Sequence, residues 1–182
     1  KFIKTREDEK GVLQEISFLN TENFNFAYDV VDELAVTCPD KRAMLYVDED
    51  KNEREFTYRD LSEFSSRTAN YFKKLGIKKG SRVMLVLKRH YQFWFAILAL
   101  HKLGAIVIPS THQMKEEDYA FRFDVGDIST VFCTHEGGVT TEIDKALAKK
   151  DYGIVKIMTG IPVEGWHSFD AEMPKESVDF ER

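Results

Sequence analysis

Residues 82–109 read RVMLVLKRHYQFWFAILALHKLGAIVIP, and the pattern of this stretch decides the fold. After Arg82, residues 83–87 form an apolar run without polar alternation, which is typical of a strand that is covered on both faces. Residues 91–103 are apolar on nearly every side, so they predict a helix that is buried on more than one side. Residues 105–108 predict the next strand. The stretch therefore predicts a strand, a helix and a second strand, the pattern of a βαβ unit.

The same alternation continues towards the end of the chain. Residues 116–125 and 141–149 predict helices, and apolar runs at residues 130–133 and 154–158 predict strands. Strands that alternate with helices form mostly parallel sheets with right-handed crossovers. The predicted fold class is therefore α/β, with a mostly parallel, doubly wound sheet and helices on both of its faces.

Upstream of the sheet, the sequence predicts a helix and then a hairpin. The helical pattern starts at residue 25 and ends at Cys38-Pro39, because the residue before a proline avoids the α region. Residues 43–47 and 55–58 predict two short strands joined by a polar turn. The apolar positions of the helix are Phe26, Val30, Val31 and Leu34.

A long helix follows the hairpin. Thr57 stands three residues before Asp60, a spacing that is typical of a capping box. Gly76 is placed to end the helix, as a glycine commonly does just past a helix C-terminus. The side chains on the predicted buried face are Leu61, Phe64, Thr68, Tyr71, Phe72 and Leu75.

These segments divide a chain of 182 residues, the length of one domain or one large subdomain, into three parts. Residues 1–23 are polar and lack a clear period, which predicts an arm or a weakly ordered lead-in. Residues 24–160 hold the elements of one α/β subdomain. Residues 161–182 are polar and contain Pro162 and Pro174, so they predict an irregular tail without a closing element.

Composition argues against several classes of protein. A net charge of −5 does not suit a general nucleic-acid binder, because binding to phosphates needs clustered Lys and Arg. Cys38 and Cys133 are too few for a disulfide scaffold and are expected to be reduced thiols. No apolar stretch approaches the roughly 20 residues of a membrane-spanning helix, and no secretory signal peptide is visible. We therefore expect a cytoplasmic protein without a nucleic-acid partner.

The sequence lacks the usual motifs for phosphate and metal chemistry. It contains neither G-x-G-x-x-G nor G-x-x-x-x-G-K-[ST]. Cys133 and His135 lack a second pair of ligands at zinc spacing, and the acidic turn at residues 48–53 lacks the glycine of a calcium loop. Residues 136–138, EGG, predict a plain turn, although such a turn can approach an anion. No catalytic residue and no metal ligand is predicted within the chain.

Two stretches resemble motifs of a known enzyme family. Residues 56–61, FTYRDL, resemble the first motif of the AMP-forming acyl-CoA synthetases, in which a Thr-Tyr pair opens the first long helix. Residues 98–109, LALHKLGAIVIP, resemble the second motif, a passage of helix, Gly-Ala, strand and proline. Residues 76–83 resemble the usual link, with Ser81 in place of an aspartate. The motif residues, to which we assign structural roles, are Thr57, Tyr58, Leu61, Gly104, Ala105 and Pro109.

Two further stretches resemble the medium-chain branch of that family. They are residues 23–32, NFNFAYDVVD, and residues 87–94, LKRHYQFW. The order and spacing fit from about residue 23 to the last residue. The chain is therefore similar to an N-terminal fragment of such an enzyme, corresponding to the first subdomain of the adenylate-forming fold.

The resemblance implies a two-step reaction for the complete enzyme. A small carboxylic acid attacks ATP to give acyl-AMP and pyrophosphate, and the thiol of CoA then displaces AMP. The reaction needs Mg²⁺, a phosphate-binding loop and a lysine, which lie downstream in this family. The resemblance thus implies that this chain is inactive alone, binds none of these cofactors tightly and has the remainder of its own chain as a partner.

Three basic residues are the candidate contacts for an anion or for a neighbour. Lys88, Arg89 and His90 lie between a predicted strand and a predicted helix, and open α/β sheets bind ligands outside the carboxyl ends of their strands. Positive charge at a helix N-terminus is unfavourable, so we expect compensation by a negative group. An acidic side chain from the rest of the enzyme, a ligand phosphate and simple solvation all stay open as partners.

Two other functions are compatible with the same fold prediction. The chain could be a stand-alone, doubly wound binding module without catalysis. It could also be a protein-interaction domain that presents the helix at residues 93–100 to a partner. Both alternatives predict a chain that closes its own core, whereas the fragment hypothesis predicts an open apolar face or sheet edge.

Overall fold

The computed structural model describes residues 2–182, in which two hairpins and a helical segment precede alternating strands and helices. The strands are β1 (Ile3–Glu7), β2 (Leu13–Phe18), β3 (Arg42–Val47), β4 (Glu53–Thr57), β5 (Arg82–Val86), β6 (Ile106–Pro109), β7 (Thr130–Thr134), β8 (Val155–Thr159) and β9 (His167–Ser168). The α-helices are α1 (Glu33–Thr37), α2 (Tyr58–Lys74), α3 (Gln92–Leu103), α4 (Glu116–Gly126), α5 (Val139–Ala148) and α6 (Phe169–Glu172). A π-helical turn, Ala27–Asp32, leads directly into α1.

Within residues 2–182, five strands form a parallel sheet in the spatial order β6–β5–β7–β8–β9. Strand β5 lies inside this sheet, because Val83 pairs with Val107 on one side and with Thr130 on the other. The chain therefore moves outward to β6 and then crosses back to β7. This arrangement confirms the predicted α/β class and its parallel, doubly wound sheet.

Helices cover both faces of the sheet because the side chains of β5 alternate between them. Val83 and Leu85 lie in a core shared with α2 and α3, whereas Met84 and Val86 lie in a core shared with α4 and α5. All four side chains are 1% exposed or less. Full burial of one such side chain stabilises a fold by about 1.5–3 kcal/mol, so this strand strongly favours closure of both faces.

A third core joins the N-terminal helical segment and the second hairpin to α2 and α3. Its buried members are Ala27, Val31, Phe56, Leu61, Phe95 and Leu98. The predicted core position Phe26 is wrong, since this side chain is 47% exposed and Ala27 is buried in its place. The wider π-helical turn changes which side chains face the core, and a pattern search for 3.6-residue periodicity does not anticipate it.

Helix α2 begins with the capping box that its sequence predicts. The Asp60 N–H donates to Thr57 Oγ1 at 3.2 Å, and the Thr57 N–H donates to Asp60 Oδ2 at 2.8 Å. These bonds satisfy backbone donors that the helix geometry leaves without partners. At the other end, Gly76 follows the last turn with φ at +87°, a conformation that favours glycine.

The passage from α3 to β6 depends on a glycine and a proline. Gly104 ends α3 in the left-handed region, with φ at +67°. Ile106 donates its N–H to a carbonyl oxygen just before β5, and Ser110 donates its N–H to a carbonyl oxygen within β5. The backbone nitrogen of Pro109, which lies between these two donors, therefore points away from β5. A proline at an outward-facing edge position removes no bond from the ladder.

Both ends of the chain carry more regular structure than the sequence predicts. The expected weakly ordered lead-in forms the antiparallel hairpin of β1 and β2. The expected irregular tail adds β9 to the parallel sheet and inserts three buried side chains into the cores: Trp166, Phe169 and Met173. These apolar residues are separated by polar ones within a short segment. Their spacing therefore shows no regular period that would predict that all three are buried. The three-part division of the chain stays a prediction.

A buried ion pair connects three helical segments. Lys102 on α3 has a side chain only 1% exposed, and its Nζ lies 3.0 Å from each carboxylate oxygen of Asp32. The same Nζ donates to Ser66 Oγ on α2 at 2.9 Å. Burial lowers the pKa of Lys102, and the Asp32 carboxylate opposes that shift. The lysine is thus tolerated inside the protein only because Asp32 compensates its charge.

We expect the Asp32→Ala variant to lose about 3–5 kcal/mol of unfolding free energy, because it leaves the Lys102 ammonium buried without a counter-charge. Urea unfolding followed by circular dichroism measures the loss. The control is Asp40→Ala, which breaks an exposed pair with Arg59 and should cost about 1 kcal/mol or less. Equal losses in the two variants would show that the buried pair has no special role.

Candidate functional site

A crevice of about 690 Å³ opens at the carboxyl ends of β5 and β7. Its walls come from the turn of the second hairpin, the segment between β5 and α3, the loop after β6 and the turn after β7. The lining residues are Tyr46, Val47, Asp48, Glu49, Asp50, Lys88, Arg89, His90, His112 and Glu136. An adjoining hollow of about 340 Å³ shares Lys88 and His112 with it. The crevice lies at the edge where open parallel sheets bind ligands.

The three candidate residues are brought to this crevice by the tight turn after β5. His90 donates its N–H to the carbonyl oxygen of Leu87 at 2.9 Å, which closes the turn. Lys88 has φ at +49°, an uncommon conformation for a residue other than glycine. Such a conformation costs free energy and persists only where the surroundings hold it. Contacts of Lys88 across the crevice supply that support.

Lys88 finds its negative partner inside this chain. Its Nζ donates to Glu136 Oε2 at 2.8 Å and lies 3.7 Å from Glu49 Oε1. This hydrogen bond lowers the pKa of the Glu136 carboxyl and raises the pKa of the lysine, so both groups are charged at neutral pH. For Lys88, the compensating group expected from a ligand or from the rest of an enzyme is therefore Glu136.

His90 is held as a neutral side chain rather than as a cation. Its Nε2 lies 2.8 Å from Thr134 Oγ1 at the end of β7 and 3.5 Å from Glu136 Oε1. Burial lowers the pKa of the imidazole below its ordinary value, although Glu136 opposes the shift. At neutral pH the ring therefore adds hydrogen-bonding capacity to the crevice and little positive charge.

Arg89 differs from its two neighbours. Its side chain is exposed in the crevice, and its guanidinium makes no hydrogen bond or ion pair with any residue between positions 2 and 182. An arginine carries five N–H donors and stays charged at all relevant pH values. Arg89 is consequently the basic group of this crevice that is available to an anion or to an acidic neighbour.

The turn after β7 positions the acidic side of the crevice. Gly137 and Gly138 both have positive φ, at +65° and +72°, and both lie within the short 3-10 turn that carries Glu136. The Glu136 N–H donates to Thr134 Oγ1 at 3.0 Å, which fixes the turn to the end of β7. The sequence predicted a turn here, and the structure adds that it presents a carboxylate to Lys88.

The structure places the other sequence candidates at a helix start, in or beside the cores and at the smaller hollow. Thr57, Tyr58 and Leu61 form the start of α2, and Leu61 is buried in the third core. Ala105 packs beside the core of α2 and α3, while Pro109 lines the smaller hollow. No cluster of three or more His, Cys, Asp or Glu that could hold a metal ion occurs in residues 2–182.

The sequence does not predict a polar cluster around Asp170, near His90 of the crevice. Asp170 accepts hydrogen bonds from Thr159 Oγ1 at 2.7 Å, from the Gly160 N–H at 2.8 Å and from Gln92 Nε2 at 3.0 Å. It thereby ties the C-terminal segment to the carboxyl end of β8 and to the start of α3. No local motif marks this aspartate, because its three partners lie 10, 11 and 78 residues away.

Gly160 allows the close approach of His135 at this end of the sheet. Gly160 has φ at +98°, and a Cβ at this position would overlap the His135 ring. Gly153 precedes β8, whereas Gly160 follows it. Gly153 also has positive φ, at +62°, but a Cβ at this position would face open space. Of these two glycines, therefore, only Gly160 combines a backbone conformation that is unfavourable for other residues with a steric block.

We expect Gly160→Ala to lose at least about 1 kcal/mol more unfolding free energy than the matched control Gly153→Ala. Thermal and urea unfolding of the two variants provide the comparison. A second variant, Gly160→Ala with His135→Ala, should recover part of the loss, because it removes the overlapping ring. Similar losses for both glycines, without any recovery, would contradict the steric explanation.

The fold and the crevice define this protein as an open, parallel α/β protein with its candidate site at the carboxyl ends of the strands. Residues 31–179 match the family described as AMP-binding enzyme, and the chain belongs to that family. The family assignment agrees with the resemblance seen in the two sequence motifs.

Similar curated proteins are acyl-CoA ligases. The chain is 30% identical over 155 residues to mitochondrial acyl-coenzyme A synthetase ACSM2 of Rattus norvegicus, which covers 81% of this chain and 27% of that protein. It is 37% identical over 98 residues to crotonobetaine/carnitine–CoA ligase of Salmonella paratyphi A, covering 54% of this chain and 19% of the ligase. The chain thus spans about a quarter, or less, of the length of these relatives.

Solved structures share the fold. An acyl-CoA synthetase from Brucella canis superimposes with a TM-score of 0.73 at 22% identity, over 87% of this chain and 28% of that one. A benzoate CoA ligase from Burkholderia xenovorans LB400 superimposes with a TM-score of 0.68 at 21% identity, over 85% of this chain and 29% of that one.

The helices within residues 2–182 are too short or too polar to cross a membrane.

Proposed function

We propose that this chain is the N-terminal part of an ATP-dependent, AMP-forming acyl-CoA synthetase. The complete enzyme would convert a carboxylic acid, ATP and CoA into acyl-CoA, AMP and pyrophosphate. Membership of the AMP-binding family across residues 31–179 is the observation that carries the proposal. The names of the curated relatives, all acyl-CoA ligases, support the reaction class.

The proposed reaction needs groups that this chain does not supply. Charge develops on phosphate oxygens during adenylation, so such sites place Mg²⁺ and basic side chains around them. Residues 2–182 contain no carboxylate cluster fit for Mg²⁺, so we assign no magnesium ligand here. We therefore propose that the chain acts as a scaffold and does not form acyl-AMP by itself.

Arg89 is the residue we propose for contact with an anion in the complete enzyme. It lines the crevice together with His112 and the Lys88–Glu136 pair, and its guanidinium is unpaired within the described residues. ATP and CoA both carry phosphates that fit the fork of N–H donors on an arginine. A phosphate of either cofactor, or an acidic side chain of the later part of the enzyme, would satisfy it.

The two alternative functions differ in their support. A protein-interaction domain would have to present the α3 helix, but Phe95, Leu98 and Leu100 on this helix are at most 4% exposed. Trp94 is its large exposed apolar side chain, at 51%. A stand-alone binding module agrees with the fold, but not with the small share of the relatives' length that the chain covers.

The expected cytoplasmic location stays a prediction, since the rat relative is mitochondrial by name.

The proposal that this chain is a scaffold, which does not form acyl-AMP by itself, can be tested by carboxylate-dependent exchange between pyrophosphate and ATP. We expect exchange in the complete enzyme and none above background in the isolated 182-residue chain, with a panel of short, medium-chain and aromatic acids. Circular dichroism controls that the isolated chain is folded. Exchange by the isolated chain would refute its assignment as a scaffold, and no exchange by the complete enzyme with any acid would refute the reaction class.

The role of Arg89 can be tested by Arg89→Ala in the complete enzyme. Loss of a charge-assisted hydrogen bond is worth about 1.5–3 kcal/mol, so we expect the KM for ATP or CoA to rise at least about tenfold, or the Tm to fall if the partner is an acidic side chain. The control is Arg59→Ala, whose side chain pairs with Asp40 on the surface. No change in any KM or in the Tm would show that Arg89 is merely solvated.

A further inference from the structure

The N-terminal hairpin of β1 and β2 separates apolar from polar side chains. Its register pairs Ile3 with Phe18, and the next pair on the same face is Thr5 with Ile16. The opposite face is polar and holds Lys4, Arg6, Glu15 and Ser17. This alternation is the pattern of a strand pair that buries one face and exposes the other.

The apolar face is uncovered in the part of the chain that the structure describes. Phe18 is 71% exposed, Ile3 52% and Ile16 45%. A two-stranded hairpin is at best marginally stable in water, and its stability normally comes from packing against other elements. A patterned but uncovered face therefore indicates a surface that another part of a larger assembly buries.

The last residue of the sequence lies at the root of this hairpin. The Arg182 guanidinium pairs with the Asp29 carboxylate at 2.7 Å and donates to the carbonyl oxygen of Asn23. The next residue, Phe24, packs edge-to-face on Phe2 at the start of β1, with 5.0 Å between the ring centroids. In an enzyme as long as the relatives, the chain that follows Arg182 would thus start a few residues from the hairpin.

A second copy of the chain is a less suitable occupant. Two strands of this length present a face of roughly 17 by 10 Å, on the order of 200 Å². Stable protein–protein interfaces bury about 800 Å² on each partner. Contact between two hairpins would therefore be too small by itself, whereas a covalently continuous domain needs no separate association.

We propose that the apolar face of the hairpin is the docking surface for the part of the enzyme that follows residue 182. This inference rests on the proposed function, because it requires the complete synthetase. Docking would fasten the first and the later parts of the enzyme together at a position outside the crevice. The exposed face in the 182-residue chain is then the open surface that a fragment leaves behind.

Hydrogen exchange tests the docking directly. We expect the backbone amides of residues 3–18 to exchange at least about tenfold more slowly in the complete enzyme than in the 182-residue chain. Phe18→Lys on the apolar face should abolish this protection and lower the Tm of the complete enzyme. The matched control Ser17→Lys, on the polar face of the same strand, should change neither. In the 182-residue chain both variants should leave the Tm unchanged.

Other outcomes would overturn the proposal. Equal exchange in the two proteins, or equal effects of the two variants on the complete enzyme, would show that the face is not buried by the later part. A dimer of the 182-residue chain that Phe18→Lys dissociates in sedimentation would identify a second copy as the occupant. Acyl-CoA formation is assayed in the same preparations. Hairpin protection without ligase activity would refute the proposed function alone, and activity without protection would refute the docking alone.

Discussion

The burial of strand β5 on both faces is the constraint on which the rest of the structure depends. Its side chains enter two separate cores, so helices must cover both sides of the sheet. Its two edges are paired with β6 and β7, so residues 83–86 are buried and only Arg82, at the start of the strand, reaches the surface. The chain leaves β5 at the carboxyl end of the strand. The turn at this point carries Lys88, Arg89 and His90. The position of the crevice is thus a consequence of the way the central strand is packed.

The elements next to this strand are the ones that the sequence predicts best, for a physical reason. An apolar run followed by an apolar helix has few ways to avoid water, and Gly104 and Pro109 mark where backbone conformation must change. The capping box at Thr57 is similarly local, because both partners lie within one helical turn. Predictions of this kind need only neighbouring residues. The fold class follows from them once strands and helices alternate.

The features that the sequence did not predict depend on contacts between distant residues or on weak local patterns. The Lys102–Asp32 pair joins residues 70 apart, and its lysine lies in a mostly apolar helix. Strand β9 has two residues, too few for any periodicity, and its place in the sheet comes from buried neighbours such as Phe169. The Lys88–Glu136 pair lies between these two kinds of feature. Carboxyl ends of neighbouring parallel strands meet at one edge of a sheet, so a known strand order predicts that these two residues lie close together. Only the structure provides that order.

The charges of the crevice are unevenly compensated, and one basic side chain stays unpaired within residues 2–182. Three basic residues follow β5, and from the sequence alone they form a cluster of positive charge. In the folded protein Glu136 pairs with Lys88, and burial keeps His90 neutral by lowering its pKa. Arg89 is left with its full charge and its N–H donors free. A single guanidinium in a mixed crevice attracts an anion less strongly than three cations would, but it sets a geometry, because its planar fork matches phosphate or carboxylate oxygens. The turn after β7 therefore shapes this charge pattern through Glu136, which compensates the charge of Lys88 and leaves the Arg89 guanidinium without a partner in the described residues.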